Sequence, residues 1–187
     1  MTRHPTPATA TFIGAAGNKL VADVFGDSGS PVLSLHGGGQ TRHAWYKTAE
    51  EIARKGHTAF ALDQHGHGDS EWIANGAYEF SDYAADAKVV AAELTRRSGT
   101  KPIVIGASLG GIASLLAEGN SERDKGANVF SALVLVDITP RVVRPALQKF
   151  TASCAQMPGK GLRRLPTPRR QSPIIFRNGR GRRAMRD

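Results

Sequence analysis

The segment KPIVIGASLGG around Ser108 constrains the fold of this chain more than any other. Its β-branched run Ile103–Ile105 lies between a proline and a glycine and predicts a buried strand, whereas Leu109–Glu118 has the apolar spacing of a helix. Ser108 is therefore expected on a sharp turn between the two. Such a turn needs small residues two positions before and after the serine, where backbones meet, and Gly106 and Gly110 supply them.

Strand and helix patterns alternate along most of the chain. Two short strands, Thr9–Ile13 and Leu20–Phe25, flank a Gly-Asn turn and predict an N-terminal hairpin. From residue 31 onward the alternation predicts right-handed βαβ crossovers, and hence an α/β fold with a mostly parallel sheet and flanking helices. The further strands predicted are Pro31–Leu35, Thr58–Leu62 and Ala132–Val136, and the helices are Arg42–Arg54 and Ser81–Arg96, with Ser81 as the N-cap of the latter.

The composition favours one soluble domain. The chain has 187 residues, of which 40% are hydrophobic and 22% charged, an ordinary balance for a globular protein with a core. Cys154 has no cysteine with which to form an internal disulfide, and residues 1–17 lack the apolar run of a secretion signal. We therefore expect a cytoplasmic location. No stretch approaches the ~20 apolar residues that span a bilayer, so no membrane association is expected.

The net charge of +9 is concentrated at the C-terminal end of the chain. Residues 158–187 hold 10 Lys and Arg against one acid, whereas residues 1–157 hold 15 basic and 15 acidic residues. We expect residues 158–187 to form a disordered basic tail rich in Pro and Arg. Such a tail binds polyanions through counterion release, but only Phe176 is available to stack on bases, so no specific nucleic-acid partner is expected.

Four motifs follow predicted strands in a fixed order, at the edge of the sheet where chemistry gathers in parallel α/β folds. They are His36–Gly39, Asp63–Ser70, Gly106–Gly110 and Leu133–Pro140. With these motifs the chain resembles the α/β-hydrolase family, in its serine hydrolase branch, over about Thr11–Phe150. The resemblance implies a mostly parallel sheet of eight strands and a catalytic triad in the chain order serine, acid, histidine.

The resemblance also implies roles for individual residues. Ser108 would be the nucleophile, and the N–H groups of Gly38 and Leu109 would form the oxyanion hole. The alternative for the three glycines after His36 is a flexible turn, which we favour less. Asp137 is a possible triad acid, although we prefer it as a strand-end residue that caps the following turn. The expected substrate is a small ester or other carbonyl compound, attacked to form an acyl-enzyme, and no cofactor is expected.

Other residues near the strand ends admit two interpretations each. His65 and His67 suggest a metal pair, but no further cluster of His, Cys and carboxylates has ligand spacing, so we favour a role in the turn and expect no metal. The family commonly has Arg where His65 stands, and this departure is expected to weaken local ion pairing. The aromatic residues Trp45, Tyr46 and Trp72 either line a pocket or pack beneath the loops.

The pattern of the family is interrupted after the nucleophile. All six histidines precede Ser108, so the triad base is missing, and we expect impaired catalysis. The last two strands are also expected to be missing, which divides the chain into part of a hydrolase core at residues 1–157 and the tail at 158–187. We hypothesise a frameshift within Met157–Gly161, because another reading frame permits a helix-like sequence there. The alternative function is a non-catalytic, hydrolase-derived protein that binds polyanions through its tail.

Overall fold

The structure, a computed structural model, describes residues 7–74, 76–123, 127–138 and 174–176. Its strands are Ala8–Ile13 (β1), Lys19–Phe25 (β2), Pro31–Leu35 (β3), Thr58–Leu62 (β4), Ile103–Ala107 (β5), Ala132–Val136 (β6) and Ile174–Phe176 (β7). Its helices are Tyr46–Arg54 (α1), Phe80–Ser98 (α2) and Leu109–Arg123 (α3), and a 3-10 turn, Arg42–Trp45, precedes α1. Each strand and helix predicted from residues 1–136 is present, with ends that differ by a few residues.

All of these strands join one sheet in the order β1-β2-β4-β3-β5-β6-β7. The strands β4, β3, β5 and β6 are parallel to one another, whereas β1 pairs antiparallel with β2, β2 with β4, and β7 with β6. The predicted α/β class with a mostly parallel sheet is therefore confirmed. Because parallel strands end at the same edge, the residues that follow β3, β4, β5 and β6 meet along one side of the sheet.

Helices cover both faces of the sheet, so its central strands are apolar on both sides. Leu33 and Val104 lie in a core shared with Val90 and Leu94 of α2, and α3 packs over β5 on the same face. On the opposite face α1 buries a smaller core in which Ala49 packs among its neighbours, Phe25, Trp45, Ala59 and Ala61. The helices on the two faces thus hold the strands whose ends carry the candidate site.

The prediction that Ser81 caps α2 is wrong. The helix begins one residue earlier, and Glu79 is its N-cap with extended backbone. The Glu79 carboxylate accepts the N–H of Asp82, and the Asp82 carboxylate accepts the N–H of Glu79 at 2.8 Å. This reciprocal capping box satisfies two backbone donors at once, which a single serine hydroxyl does not do. The predicted Arg96 and Arg97 do lie in the last turn, where they complement the helix dipole.

Strand β7 lies in the segment for which the sequence pattern predicts no strand. Its three residues, Ile174–Phe176, pair with Leu133–Leu135 of β6. They are a short apolar run among arginines and glycines, too short to give a strand pattern of its own. The remainder of residues 158–187, the proposed frameshift at Met157–Gly161 and the boundary at residue 157 lie outside the described residues.

No helix among the described residues is long and apolar enough to cross a membrane.

Candidate functional site

Ser108 occupies the turn between β5 and α3 with a left-handed backbone, φ 44°. Its N–H donates to the carbonyl of Val136 at 3.1 Å, which ties the turn to the end of β6. Its own carbonyl accepts the N–H of Ile112 at 2.9 Å, the first hydrogen bond of α3. A positive φ costs free energy at any residue with a Cβ, and these two bonds hold Ser108 in this conformation.

The glycines on either side of Ser108 are required by close backbone contacts. A Cβ on Gly106 would lie 2.6 Å from the carbonyl oxygen of Gly110, and a Cβ on Gly110 would lie 2.5 Å from the carbonyl oxygen of Leu35. Real Cβ atoms do not approach backbone atoms this closely. The expectation that small residues are needed two positions before and after the serine therefore holds. The lack of a side chain at Gly110 also lets α3 lie close to β3.

The glycine loop after β3 lies beside Ser108. The N–H of Gly110 donates to the carbonyl of His36 at 3.2 Å, and a Cβ on Gly37 would lie 3.5 Å from the Cβ of Ser108. Gly38, the next residue, is half-buried. The loop is closed by Gln40, whose N–H donates to the carbonyl of Gly37 at 3.1 Å and whose side-chain oxygen accepts the N–H of Gly37 at 3.0 Å. The loop is thus a hydrogen-bonded turn rather than a flexible one.

His36 fixes this loop from below as a neutral imidazole. Its ring is fully buried, Nδ1 donates to the carbonyl of Gly37 at 2.8 Å, and Nε2 accepts the N–H of Gln64 at 3.1 Å. Burial lowers the pKa of His36 to about 4, because a charged ring would be desolvated there. The Gln64 side chain donates in turn to the carbonyl of His36 at 2.7 Å.

His67 supports the same loop from its outer side. Its Nε2 accepts the N–H of Gly39 at 3.3 Å, and its Nδ1 donates to the carbonyl of His65 at 3.0 Å. Its ring centre lies 4.9 Å from that of His36. Burial lowers the pKa of His67 as well. The favoured role of this histidine in the turn after β4 is consistent with these contacts.

Arg42 binds several elements of the site together, and no sequence pattern singled it out. Its guanidinium pairs with Asp23 of β2 at 2.7 Å, with Asp63 at the end of β4 and with Asp69 at 2.7 Å. Its N–H also donates to Asp63 at 2.6 Å. Burial alone would lower the pKa of Arg42, but the hydrogen bonds to Asp23, Asp69 and Asp63 raise it above its ordinary value. One cation therefore joins β2, the loop after β3 and the turn after β4.

His65 forms a buried pair on the far side of that turn. Its Nδ1 lies 2.7 Å from Asp86 Oδ2 on α2, and its ring stacks on Tyr83 at 4.0 Å. Asp86 also accepts the N–H of Ala15 in the first hairpin at 2.7 Å. We expected His65, which stands where the family commonly has Arg, to weaken local ion pairing. In the structure His65 has an acidic partner, Asp86. No group of three or more His, Cys, Asp or Glu suited to a metal occurs in the part of the chain that is described.

The four remaining predicted residues lie in different settings. Asp137 follows β6 directly, is exposed and has φ 55°, so it stands beside the Ser108 turn at the edge of the sheet. Trp45 is buried in the core under α1. Tyr46 donates its hydroxyl to Asp23, and burial together with this hydrogen bond raises its pKa to about 12. Trp72 is exposed.

No described residue hydrogen-bonds to the hydroxyl of Ser108. The nearest histidines along the edge, His36 and His67, have both ring nitrogens engaged with backbone groups. His65 is held against Asp86 and Tyr83. The arrangement therefore places a glycine loop beside Ser108, and its histidines serve to hold the loops.

Comparison with known proteins finds a matching family model and several similar proteins. A family model described as serine aminopeptidase S33 matches residues 28–187. The esterase Rv0045c of Mycobacterium tuberculosis is 32% identical over 135 residues, which cover 72% of this chain and 40% of that protein. An α/β hydrolase from Novosphingobium aromaticivorans superposes with a TM-score of 0.65 at 22% identity, over 82% of this chain and 52% of that one.

An epoxide hydrolase from Vigna radiata also superposes, with a TM-score of 0.64 at 20% identity, over 83% of this chain and 51% of that one. At this identity the two structural likenesses show the fold alone. The chain spans about half the length of these relatives or less.

Proposed function

The chain belongs to the α/β-hydrolase family, in the group described as serine aminopeptidase S33, and we propose that it comes from a lineage of serine hydrolases that act on small esters or related carbonyl compounds. The observation that carries the proposal is the backbone of Ser108, held at φ 44° between β5 and α3 with the glycine loop packed against it. The similarity to an esterase over 135 residues supports the same substrate class.

In the proposed reaction, Ser108 Oγ attacks the carbonyl carbon and forms a tetrahedral intermediate with a negatively charged oxygen. The N–H groups of Leu109, at the start of α3, and of Gly38 donate to this oxyanion, each worth about 3 kcal/mol of transition-state stabilisation. The intermediate expels the alcohol and leaves an acyl-enzyme, which water then cleaves. Because the nucleophile is a serine rather than an aspartate, opening of an epoxide through an aspartyl ester is disfavoured.

The proposal includes impaired turnover. Ser108 needs a base to accept its proton, and no histidine follows it in this sequence. Asp137, which follows β6 directly, is the possible triad acid, but an acid alone does not replace the base. Binding and an oxyanion hole without the base leave catalysis of about 10³–10⁴-fold over water.

Fluorophosphonate labelling and ester hydrolysis together test this proposal. We expect slow labelling confined to Ser108, no labelling of Ser108→Ala, and near-zero turnover of p-nitrophenyl esters by either protein. Labelling that persists in Ser108→Ala would place the nucleophile elsewhere. Robust hydrolysis that Ser108→Ala abolishes would show that the chain contains a base.

A second candidate function rests on the distribution of charge. The whole excess of +9 lies in residues 158–187, while the rest of the chain is balanced. A non-catalytic, hydrolase-derived protein with this tail would bind polyanions, and the affinity would fall steeply as salt rises. The matched test compares the full chain with a variant lacking residues 158–187 on heparin at increasing salt. Equal retention of the two proteins would exclude the tail as a binding element.

A further inference from the structure

Trp72 is more exposed than any other large apolar side chain in the described part of the chain, at 69%. It lies in the loop between the turn after β4 and the start of α2, on the side of the sheet where the strands end. Most tryptophans bury the greater part of their surface, because their rings contribute more to burial than any other side chain. The exposed indole therefore leaves a large apolar area available for contact with a ligand.

The exposure of Trp72 does not come from a loose loop. The N–H of Ile73 donates to the hydroxyl of Tyr78 at 2.8 Å, and the N–H of Gly76 donates to the carbonyl of Ile73 at 3.3 Å. The Trp72 and Tyr78 rings contact each other, with centres 6.1 Å apart and an angle of 55° between their planes. The indole is thus held by Tyr78 on one side and open to solvent on the other.

Tyr78 connects this indole to the nucleophile turn. It packs, together with Phe80, against the small core of Tyr83, Leu109 and Ala113. Leu109 directly follows Ser108 and is buried. Apolar contacts therefore connect Leu109, through Tyr78, to the exposed face of Trp72.

The acidic residues beside this surface are already paired. Glu71 Oε2 accepts the N–H of Lys19 at 2.6 Å, and Asp69 pairs with Arg42 at 2.7 Å. Their carboxylates are therefore held toward the hairpin and the Arg42 cluster. An uncharged hydrocarbon suits the remaining surface better than a cation, because apolar burial is its main source of binding free energy.

We propose that Trp72 and Tyr78 form an apolar subsite for the hydrocarbon part of the substrate, whose carbonyl lies at Ser108. The inference rests on the proposed function for its orientation, since the contacts from Trp72 lead through Tyr78 to Leu109, the residue after Ser108. It assigns a specificity role to Trp72: substrates whose hydrocarbon chain is long enough to reach the indole bind better than substrates with a short one.

Two ketones that differ only in chain length, 2-butanone and 2-decanone, test the subsite without requiring catalysis. Trp72 and Trp45 are the two tryptophans of the chain, and Trp45 is only 9% exposed. Acrylamide quenching of the full chain, compared with Trp72→Phe, therefore isolates the fluorescence of Trp72. We expect 2-decanone to lower the quenching constant of Trp72 at least twofold and saturably, and 2-butanone at equal concentration to leave it unchanged. Equal effects of the two ketones would overturn the proposal.

A second measurement follows the ligand instead of the protein. Saturation-transfer NMR gives the Kd of 2-decanone for the unmodified chain, for Trp72→Ala and for Val89→Ala, a control at an exposed apolar residue on α2. We expect Trp72→Ala to weaken binding about fivefold or more, consistent with the apolar area lost, and Val89→Ala to leave it unchanged. Equal Kd values for the two variants would overturn the proposal.

Labelling of Ser108 by a fluorophosphonate separates the subsite from the proposed reaction. Protection of Trp72 by 2-decanone in a protein whose Ser108 stays unlabelled would support the subsite and overturn the serine chemistry alone. Labelled Ser108 with no protection of Trp72 would overturn the subsite alone.

Discussion

Individual backbone contacts decide which residues the nucleophile turn accepts. Gly110 illustrates this, because the Cβ of any other residue would meet both the carbonyl oxygen and the Cβ of Leu35, at 2.5 and 2.6 Å. The neighbouring strand is central and parallel-paired on both sides, so it cannot shift to make room. The glycine at position 110 of the motif is thus required by the contact between α3 and β3 as well as by the turn.

Gly110→Ala is predicted to destabilise the chain by about 2 kcal/mol or more, as overpacking against backbone does. Urea unfolding followed by circular dichroism measures the change. Gly119→Ala is the matched control on the same helix, because nothing lies within 4 Å of its Cβ. There the substitution is expected to stabilise the helix by up to ~1 kcal/mol. Equal effects at the two positions would contradict the contact.

His36 is predicted to make the stability of the fold depend on pH. Its pKa is lowered from 6.5 to about 4 in the folded chain, so between these values the unfolded chain binds more protons. The contribution of His36 to the free energy of unfolding is therefore fully present above pH 6.5. It falls as the pH drops toward 4, by at most about 3 kcal/mol. Denaturation at a series of pH values measures this slope.

His36→Gln is expected to flatten that slope, since the substituted side chain does not titrate. His43→Gln is the control at an exposed histidine and is expected to leave the slope unchanged. A slope that is the same in His36→Gln as in the unmodified chain would assign the acid sensitivity to other groups.

At the scale of elements, one buried cation joins segments that are distant in sequence. Arg42 brings together Asp23, Asp63 and Asp69, which lie on β2 and on either side of the turn after β4. It also begins the 3-10 turn that follows the glycine loop. The position of that loop beside Ser108 therefore depends on an ion cluster that contains no predicted catalytic residue.

Arg42→Met is predicted to destabilise the chain by about 3–5 kcal/mol, because it leaves Asp23 and Asp63 buried without a cation. Arg54→Ala, which removes an exposed pair with Glu51, is expected to cost less than ~1 kcal/mol. Chemical denaturation of the two variants gives both values. A loss in Arg42→Met no larger than in Arg54→Ala would show that the cluster does not hold the loops.

Sequence patterns predicted the elements well where the signal is local. The strand before Ser108 and the helix after it follow from apolar periodicity, and both are present. The N-cap of α2 was missed because Glu is a weak capping residue alone, and its strength here comes from the reciprocal bond with Asp82. The partners of Arg42 were missed because they lie 19 to 27 residues away and meet only in the folded sheet.

For the whole molecule, the order of strands rather than their number identifies the fold. The chain order of the motifs indicated the family, and the fold superposes on that of an α/β hydrolase with a TM-score of 0.65. Strand β7 was not predicted, since three apolar residues in an arginine-rich segment carry too little pattern. The candidate site was predicted as far as Ser108 and its glycines, but the histidine and arginine supports required the fold.

The central proposal is that Ser108, beside its glycine loop, attacks a carbonyl carbon, and that the chain lacks the histidine that would accept the proton of Ser108. Chemical rescue tests this most directly, by measuring p-nitrophenyl butyrate hydrolysis at increasing imidazole for the unmodified chain and for Ser108→Ala. We predict little hydrolysis without imidazole, and a difference between the two proteins that rises and saturates as imidazole supplies the base. No difference at any imidazole concentration, or fast Ser108-dependent hydrolysis without imidazole, would contradict the account.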